Sequence, residues 1–195
     1  MSQERVEIVS TSRGTGVRMP FAVREGAGRP LDQRLALRLP RLTVLYGRLI
    51  LRLPPTSRLR QALVWRSVRL GIEAFNRRDF DALLLSYHRD VEFHPPRGWP
   101  QAGMSEASYH GHEGFPRFLR DLSAVWGTYR QEPRELIDLG DRMLVLGELT
   151  GRALASGVPL AQPHASLYYL ADGKLIRQEE YLDPDEALEA VGLSG

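Results

Sequence analysis

The sequence predicts an α+β domain over residues 57–195: a curved antiparallel sheet wrapped by three N-terminal helices, with a basic N-terminal helical extension ahead of it. Three observations lead there. Val64, Val68, Ile72 and Phe75 recur at spacings of 4, 4 and 3, one stripe of a helix. From about residue 128 onward the chain reads as successive strands, with Asp172-Gly173 as a strong hairpin signal. Between these regions lie further helical patterns and one short strand, so helices gather on one face of the sheet.

Taken in order, residues 1–30 have few apolar residues and scattered glycines, which predicts disorder. Residues 31–56 alternate leucine and arginine. Pro40 divides this stretch and Pro54-Pro55 ends it, leaving a short amphipathic helix over about 41–52. Thr56 or Ser57 caps the first helix of the domain. Asp79 caps a second, about 80–88, carrying Leu83, Leu84 and Tyr87. Residues 91–95 form a strand stopped by Pro95-Pro96, and residues 97–108 form a loop. A third helix runs from about Glu113 to Trp126, with Pro116 tolerated only in its first turn and Gly127 as the stop. Strands follow over 128–139, 142–153, 158–170 and 174–182. Asp183-Pro184-Asp185-Glu186 then opens a closing helix through a capping box.

Composition narrows the function. No cysteine is present, so disulfides and thiolate metal sites are excluded. The N-terminus lacks the apolar core of a secretory signal, and no run approaches a membrane-spanning length. The expected location is therefore the cytoplasm. The net charge of +2 hides an asymmetry: residues 1–78 hold 16 arginines against 5 acidic residues, whereas residues 79–195 hold 10 basic and 19 acidic ones. The basic stretch is interleaved with leucine rather than with aromatic rings, which argues against nucleic-acid binding. Residues 31–55 suit a membrane surface, the chain's own domain or a partner subunit.

Five segments resemble one known family: AFNRRDFDALLLSYHRDVEFHPP, YHGHEGFPRFL, ELIDLGDRMLVLG, SGVPL and ADGKLIRQEEYLDPDEALEAVGL. They are similar to SnoaL-like proteins, in the wider group that contains ketosteroid isomerase and nuclear transport factor two. The resemblance implies a cone-shaped sheet around a cavity for a small, mostly apolar molecule, and a homodimer. It places Gly71 where ketosteroid isomerase has its oxyanion tyrosine, and His94 where the isomerase has its carboxylate base. The second oxyanion donor falls on His164 with one gap in the alignment, or on Ala165 without it. All three positions differ from the isomerase, so the resemblance implies the fold and leaves the chemistry open.

Histidine exchanges protons near neutrality, so His94 and His164 are the candidate catalytic residues. His164 shares strand parity with Gln162, Ser166 and Tyr168. Either that row or Ala165, Leu167 and Tyr169 faces inward, and the resemblance favours His164. Tyr87, Tyr109, Trp126 and Tyr168 are candidate ligand contacts, although Trp126 also closes an apolar helical stripe and suits the core. Glu148 and Arg152 share one strand face, as do Arg177, Glu179 and Tyr181; these are a solvated face, a dimer contact or a charged pair within the cavity. His110-Gly-His112 invites a metal, but no helical ligand pair accompanies it, and neither a metal nor another cofactor is expected. Three readings remain open: a histidine acid–base enzyme (a cyclase, isomerase or hydrolase) on an apolar oxygenated substrate, a non-catalytic binding or dimerising module, and a protein docking through residues 31–55.

Overall fold

A computed structural model describes residues 6–24, 28–97 and 106–193. The chain opens with a hairpin, β1 (Glu7–Thr11) and β2 (Gly14–Pro20). Two helices of the basic extension follow, α1 (Leu31–Arg38) and α2 (Pro40–Arg52), then α3 (Arg58–Asn76) and the short α4 (Phe80–Leu84). Strands β3 (Tyr87–His94) and β4 (Tyr109–His110) lead into α5 (Gly111–Val125). Strands β5 (Trp126–Asp138), β6 (Arg142–Ala153), β7 (Pro159–Ala171) and β8 (Lys174–Tyr181) precede the closing helix α6 (Pro184–Ala190). No helix among the described residues is long and apolar enough to cross a membrane.

The strands form one sheet in the order β1-β2-β5-β6-β7-β8-β3-β4. The long meander β5 to β8 is antiparallel, as the sequence predicts, but β3 lies parallel to β8. Helices α3, α4 and α5 pack on the inner face. On the outer face, α6 covers Ala165 and Leu167 of β7 through Ala187, Leu188 and Val191. Asp172 (φ 50°) and Gly173 (φ 80°) both take the left-handed conformation that a tight hairpin needs.

The predicted cap residues cap their helices, although among the described residues no Glu186 hydrogen bond completes a capping box at α6. Ser57, Asp79 and Asp183 each accept a backbone N–H from the first turn of the helix that follows. Several boundaries differ. The second helix ends at Leu84, and Tyr87 and His88 belong to β3, where pairing with β8 overrides the local helical pattern. Pro116 lies inside α5 because that helix starts at Gly111 rather than Glu113. Gly127 does not terminate a helix; it follows Trp126 into β5, at a register shift between Trp126 and Thr128. Residues 98–105 of the expected loop lie outside the described residues.

The largest correction concerns residues 1–30. Residues 7–20 are a β-hairpin that lengthens the sheet beside β5, with Val17 paired to Asp138 and Pro20 to Glu135. Val9, Val17, Met19 and Phe21 are buried against the domain. Val6 and Ile8 stay exposed, so the segment is held by these four buried side chains, which low overall apolar content conceals. Residues 1–5 and 25–27 of the expected disordered stretch lie outside the described residues.

The basic extension folds back over the cone. Arg29 donates to both Asp79 carboxylate oxygens, at 2.8 and 2.5 Å. Asp32 pairs with Arg66 at 2.6 Å, and the buried Gln33 accepts from Arg77 at 2.8 Å. Helix α2 crosses the β7–β8 turn backbone on backbone. A Cβ on Gly47 would collide with the Gly173 carbonyl, and one on Gly173 would lie 2.6 Å from the Val44 oxygen. Glycine at both positions is what lets α2 lie this close. The end of α2 is held by Arg60, which donates to the Ile50 and Leu53 carbonyls at 3.1 and 2.8 Å while pairing with Asp138.

Candidate functional site

Between the inner face of the sheet and the helices lies a cavity of about 420 Å³. Its walls are mostly apolar: Leu39, Leu42 and Ile50 from the extension, Val64 and Ile72 from α3, and Leu122 from α5. Part of the wall is polar, and it comes from adjacent strands with one parity. From β7, the buried His164 and Tyr168 line it, with the buried Ser166 on the same face between them. From β8, Gln178 and Glu180 are buried, and β3 adds Tyr87. Period-two alternation aims all six side chains to the same side of the sheet. This settles the parity of β7: His164 faces inward, and Ala165 and Leu167 face α6.

The polar groups form a continuous chain. His164 Nε2 lies 2.7 Å from Glu180 Oε2. Ser166 Oγ donates to the same oxygen at 2.7 Å, and Gln178 Nε2 donates to Glu180 Oε1. Tyr87 OH donates to Gln178 Oε1 at 2.5 Å. Glu180 thus accepts from two side chains, one at each carboxylate oxygen. With Nε2 facing Glu180 Oε2, Nδ1 is the ring nitrogen left without a hydrogen-bond partner among the described residues. Burial, with Tyr168 and Glu180 close by, pushes the Tyr87 phenol well above its ordinary range. Burial and Glu180 raise Tyr168 in the same way. Both phenols therefore remain donors.

Tyr87, His164 and Tyr168 line one cavity; the other candidates do not. His94 lies on the opposite face of β3, because Val91 and Phe93 take the inward positions and are almost fully buried. Its Nε2 lies 3.1 Å from Glu92, and it does not line the cavity. The two histidines therefore do not converge. Tyr109 is fully buried beside Phe118, its hydroxyl donating to Asp121. Trp126 is core, packed in the cluster that holds Phe115 and Leu122. Glu148 pairs with Arg134 at 3.0 Å, and the exposed Arg152 donates to the Gly157 carbonyl at 3.0 Å. The row Arg177, Glu179 and Tyr181 faces outward, where Glu179 accepts from Tyr181 at 2.8 Å and pairs with Arg177 at 2.5 Å. His110 meets Ser108 at 3.0 Å and His112 meets the Tyr87 carbonyl at 3.3 Å. No group of three metal-binding side chains gathers among the described residues.

Gln178 and Glu180 were missed by sequence reasoning. Their signal was present: they alternate with Arg177, Glu179 and Tyr181, so placing that row outside places Gln178 and Glu180 inside. Gly71, which the resemblance aligns with the isomerase tyrosine, lines the cavity. A Cβ there would meet only Leu83, at 3.9 Å. The space beside Gly71 is thus open.

A SnoaL-like domain model matches residues 68–178, more than half of the chain, and the chain belongs to that family. The match begins at Val68, so the β1–β2 hairpin and the α1–α2 extension precede it. Among solved structures, TerC co-crystallised with polyporic acid is 28% identical, with a TM-score of 0.56 over 65% of this chain and 95% of that one. An NTF2-like protein of unknown function from Burkholderia pseudomallei is 27% identical, with the same TM-score and coverage. Another, from Burkholderia xenovorans, is 26% identical, with a TM-score of 0.50 over 65% of this chain and 93% of that one. No curated protein matches.

Proposed function

We propose that this protein takes up a small, largely apolar, oxygenated molecule in the cone and that His164 moves a proton on it. The observation that carries this reading is the His164–Glu180 pair set into a mostly apolar cavity. An apolar pocket with a few convergent polar groups is the usual form of a small-molecule site. The likeness to TerC, co-crystallised with polyporic acid, supports an oxygenated ring compound as the ligand class.

The chemistry follows from the geometry. His164 Nδ1 takes a proton from a carbon beside a carbonyl, and the electron pair moves onto the carbonyl oxygen. Glu180 stabilises the imidazolium that forms, and the protonated Tyr168 hydroxyl donates to the new oxyanion. Returning the proton to another carbon gives isomerisation; attack by the carbanion on a second carbonyl of the same molecule, with the proton passed from His164 to the alkoxide that forms, gives cyclisation.

Calorimetric titration with polyporic acid, and with hydroxylated aromatic ketones, tests uptake. Solvent deuterium exchange into the bound ketone tests proton transfer. Binding together with exchange that His164→Gln abolishes is the expected result. Binding without exchange favours the second reading, a non-catalytic carrier, which the separation of His94 from the cavity supports. Absence of binding to every probe, with the fold intact, defeats both readings.

A further inference from the structure

We propose that α1 and α2 dock this protein on an anionic lipid surface. One face of this pair packs over the cone, but the other presents leucine to solvent. Leu31 is 81% exposed, Leu35 55%, Leu42 52%, Leu45 65% and Leu49 52%. On α2, Leu42, Leu45 and Leu49 fall at helical spacing on one stripe, and Arg41, Arg48 and Arg52 run beside it. An apolar stripe flanked by arginine is the pattern of a helix lying in the headgroup region, with leucine reaching the acyl boundary and guanidinium groups meeting phosphate.

Charge distinguishes the occupants. Arg34, Arg38, Arg41, Arg48 and Arg52 are all exposed. Among the described residues only Arg48 approaches a carboxylate, Asp172 at 3.9 Å. The one acidic residue of the stretch, Asp32, is already paired with Arg66. A second copy meeting this face symmetrically would bring arginine against arginine with no acid between them. An anionic bilayer supplies the missing charge along the whole face and accepts the leucines as well.

Leu35, Leu39 and Leu42 both line the cavity and stand exposed on this face. The cavity thus opens where the lipid would lie, and an apolar molecule would pass between bilayer and cone without crossing water. That consequence rests on the binding reading above; the docking does not.

Co-sedimentation of the full chain with vesicles tests the docking, using phosphatidylcholine alone and phosphatidylcholine mixed with phosphatidylglycerol. The expected result is association with the anionic vesicles about tenfold stronger than with the neutral ones, weakening as salt is raised. Leu45→Glu with Leu49→Glu, neither of which lines the cavity, removes the association while circular dichroism and melting temperature stay unchanged. Arg38→Gln with Arg41→Gln weakens it about tenfold. Equal pelleting with both vesicle types, or pelleting that the leucine pair does not affect, overturns the proposal. So does a dimer in sedimentation velocity that the leucine substitutions dissolve without any vesicle binding by the wild type, since the face then belongs to a second copy. Vesicle association is read without a cavity ligand, so its failure is separate from failure of the binding reading.

Discussion

Arg60 and Asp138, 78 residues apart in the chain, form a two-pronged ion pair inside the protein. Nε lies 2.6 Å from one carboxylate oxygen and Nη2 lies 2.7 Å from the other. Both side chains are almost wholly removed from solvent. The guanidinium also bonds the Ile50, Leu53 and Gly140 carbonyls, so one residue joins α2, α3 and the β5–β6 turn. This pair locks the extension to the cone.

Removing one partner strands a buried charge. Asp138→Asn and Arg60→Met are each expected to destabilise the fold by about 3–5 kcal/mol in urea unfolding. The double variant is expected to cost less than the sum of the two. Additive losses would show that the pair does not act as a unit.

His164 sits at the centre of the proposed chemistry. His164→Gln is expected to lower turnover or deuterium exchange about 10²–10⁴-fold. Glu180→Gln should lower it too, since the ring loses its ionised partner. Neither change should alter probe affinity by more than about threefold. An unchanged exchange rate in His164→Gln removes this residue from the mechanism.

Gly71 leaves space where a side chain would project into the cavity. Gly71→Phe is expected to fill that space and abolish uptake of the ring probes while the protein stays folded. Gly71→Ala leaves most of the space and should raise stability by about 1 kcal/mol, through the helix preference for alanine. Retained probe binding in Gly71→Phe would place the ligand elsewhere.

The buried phenols set an alkaline limit. Tyr87 and Tyr168 titrate above the ordinary value of 10.0 in the folded chain. The unfolded chain releases these protons first, so the stability tied to them is intact below pH 10 and declines as pH rises above it. Urea midpoints measured across this range should fall. The fall should be shallower in Tyr168→Phe, which has no proton to lose. Parallel curves for wild type and variant would contradict the assignment.

Much of the architecture was legible locally. Ser57, Asp79 and Asp183 marked helix starts because their side chains can satisfy the first free N–H groups of a helix. Asp172-Gly173 marked a hairpin because both residues tolerate the left-handed conformation. The apolar stripe of α3 follows from a 3.6-residue period. These signals depend on neighbours within a few positions, and so the sequence carries them by itself. It also carried the family resemblance and the alternatives for β7.

What the tertiary structure decided depended on pairing between distant segments. His94 and His164 are each one step from the opposite face of a strand, and only burial of Val91, Phe93 and the Ala165–Leu167 pair against α6 chose between faces. Glu180 became the partner of His164 through the register of β7 on β8. The β1–β2 hairpin has too few apolar residues to announce itself, and gains its burial only by joining the edge of β5. In the same way, Arg60 reads as one more arginine of a basic arm until the fold carries it to Asp138, because no local pattern encodes a contact between residues brought together only by long-range packing.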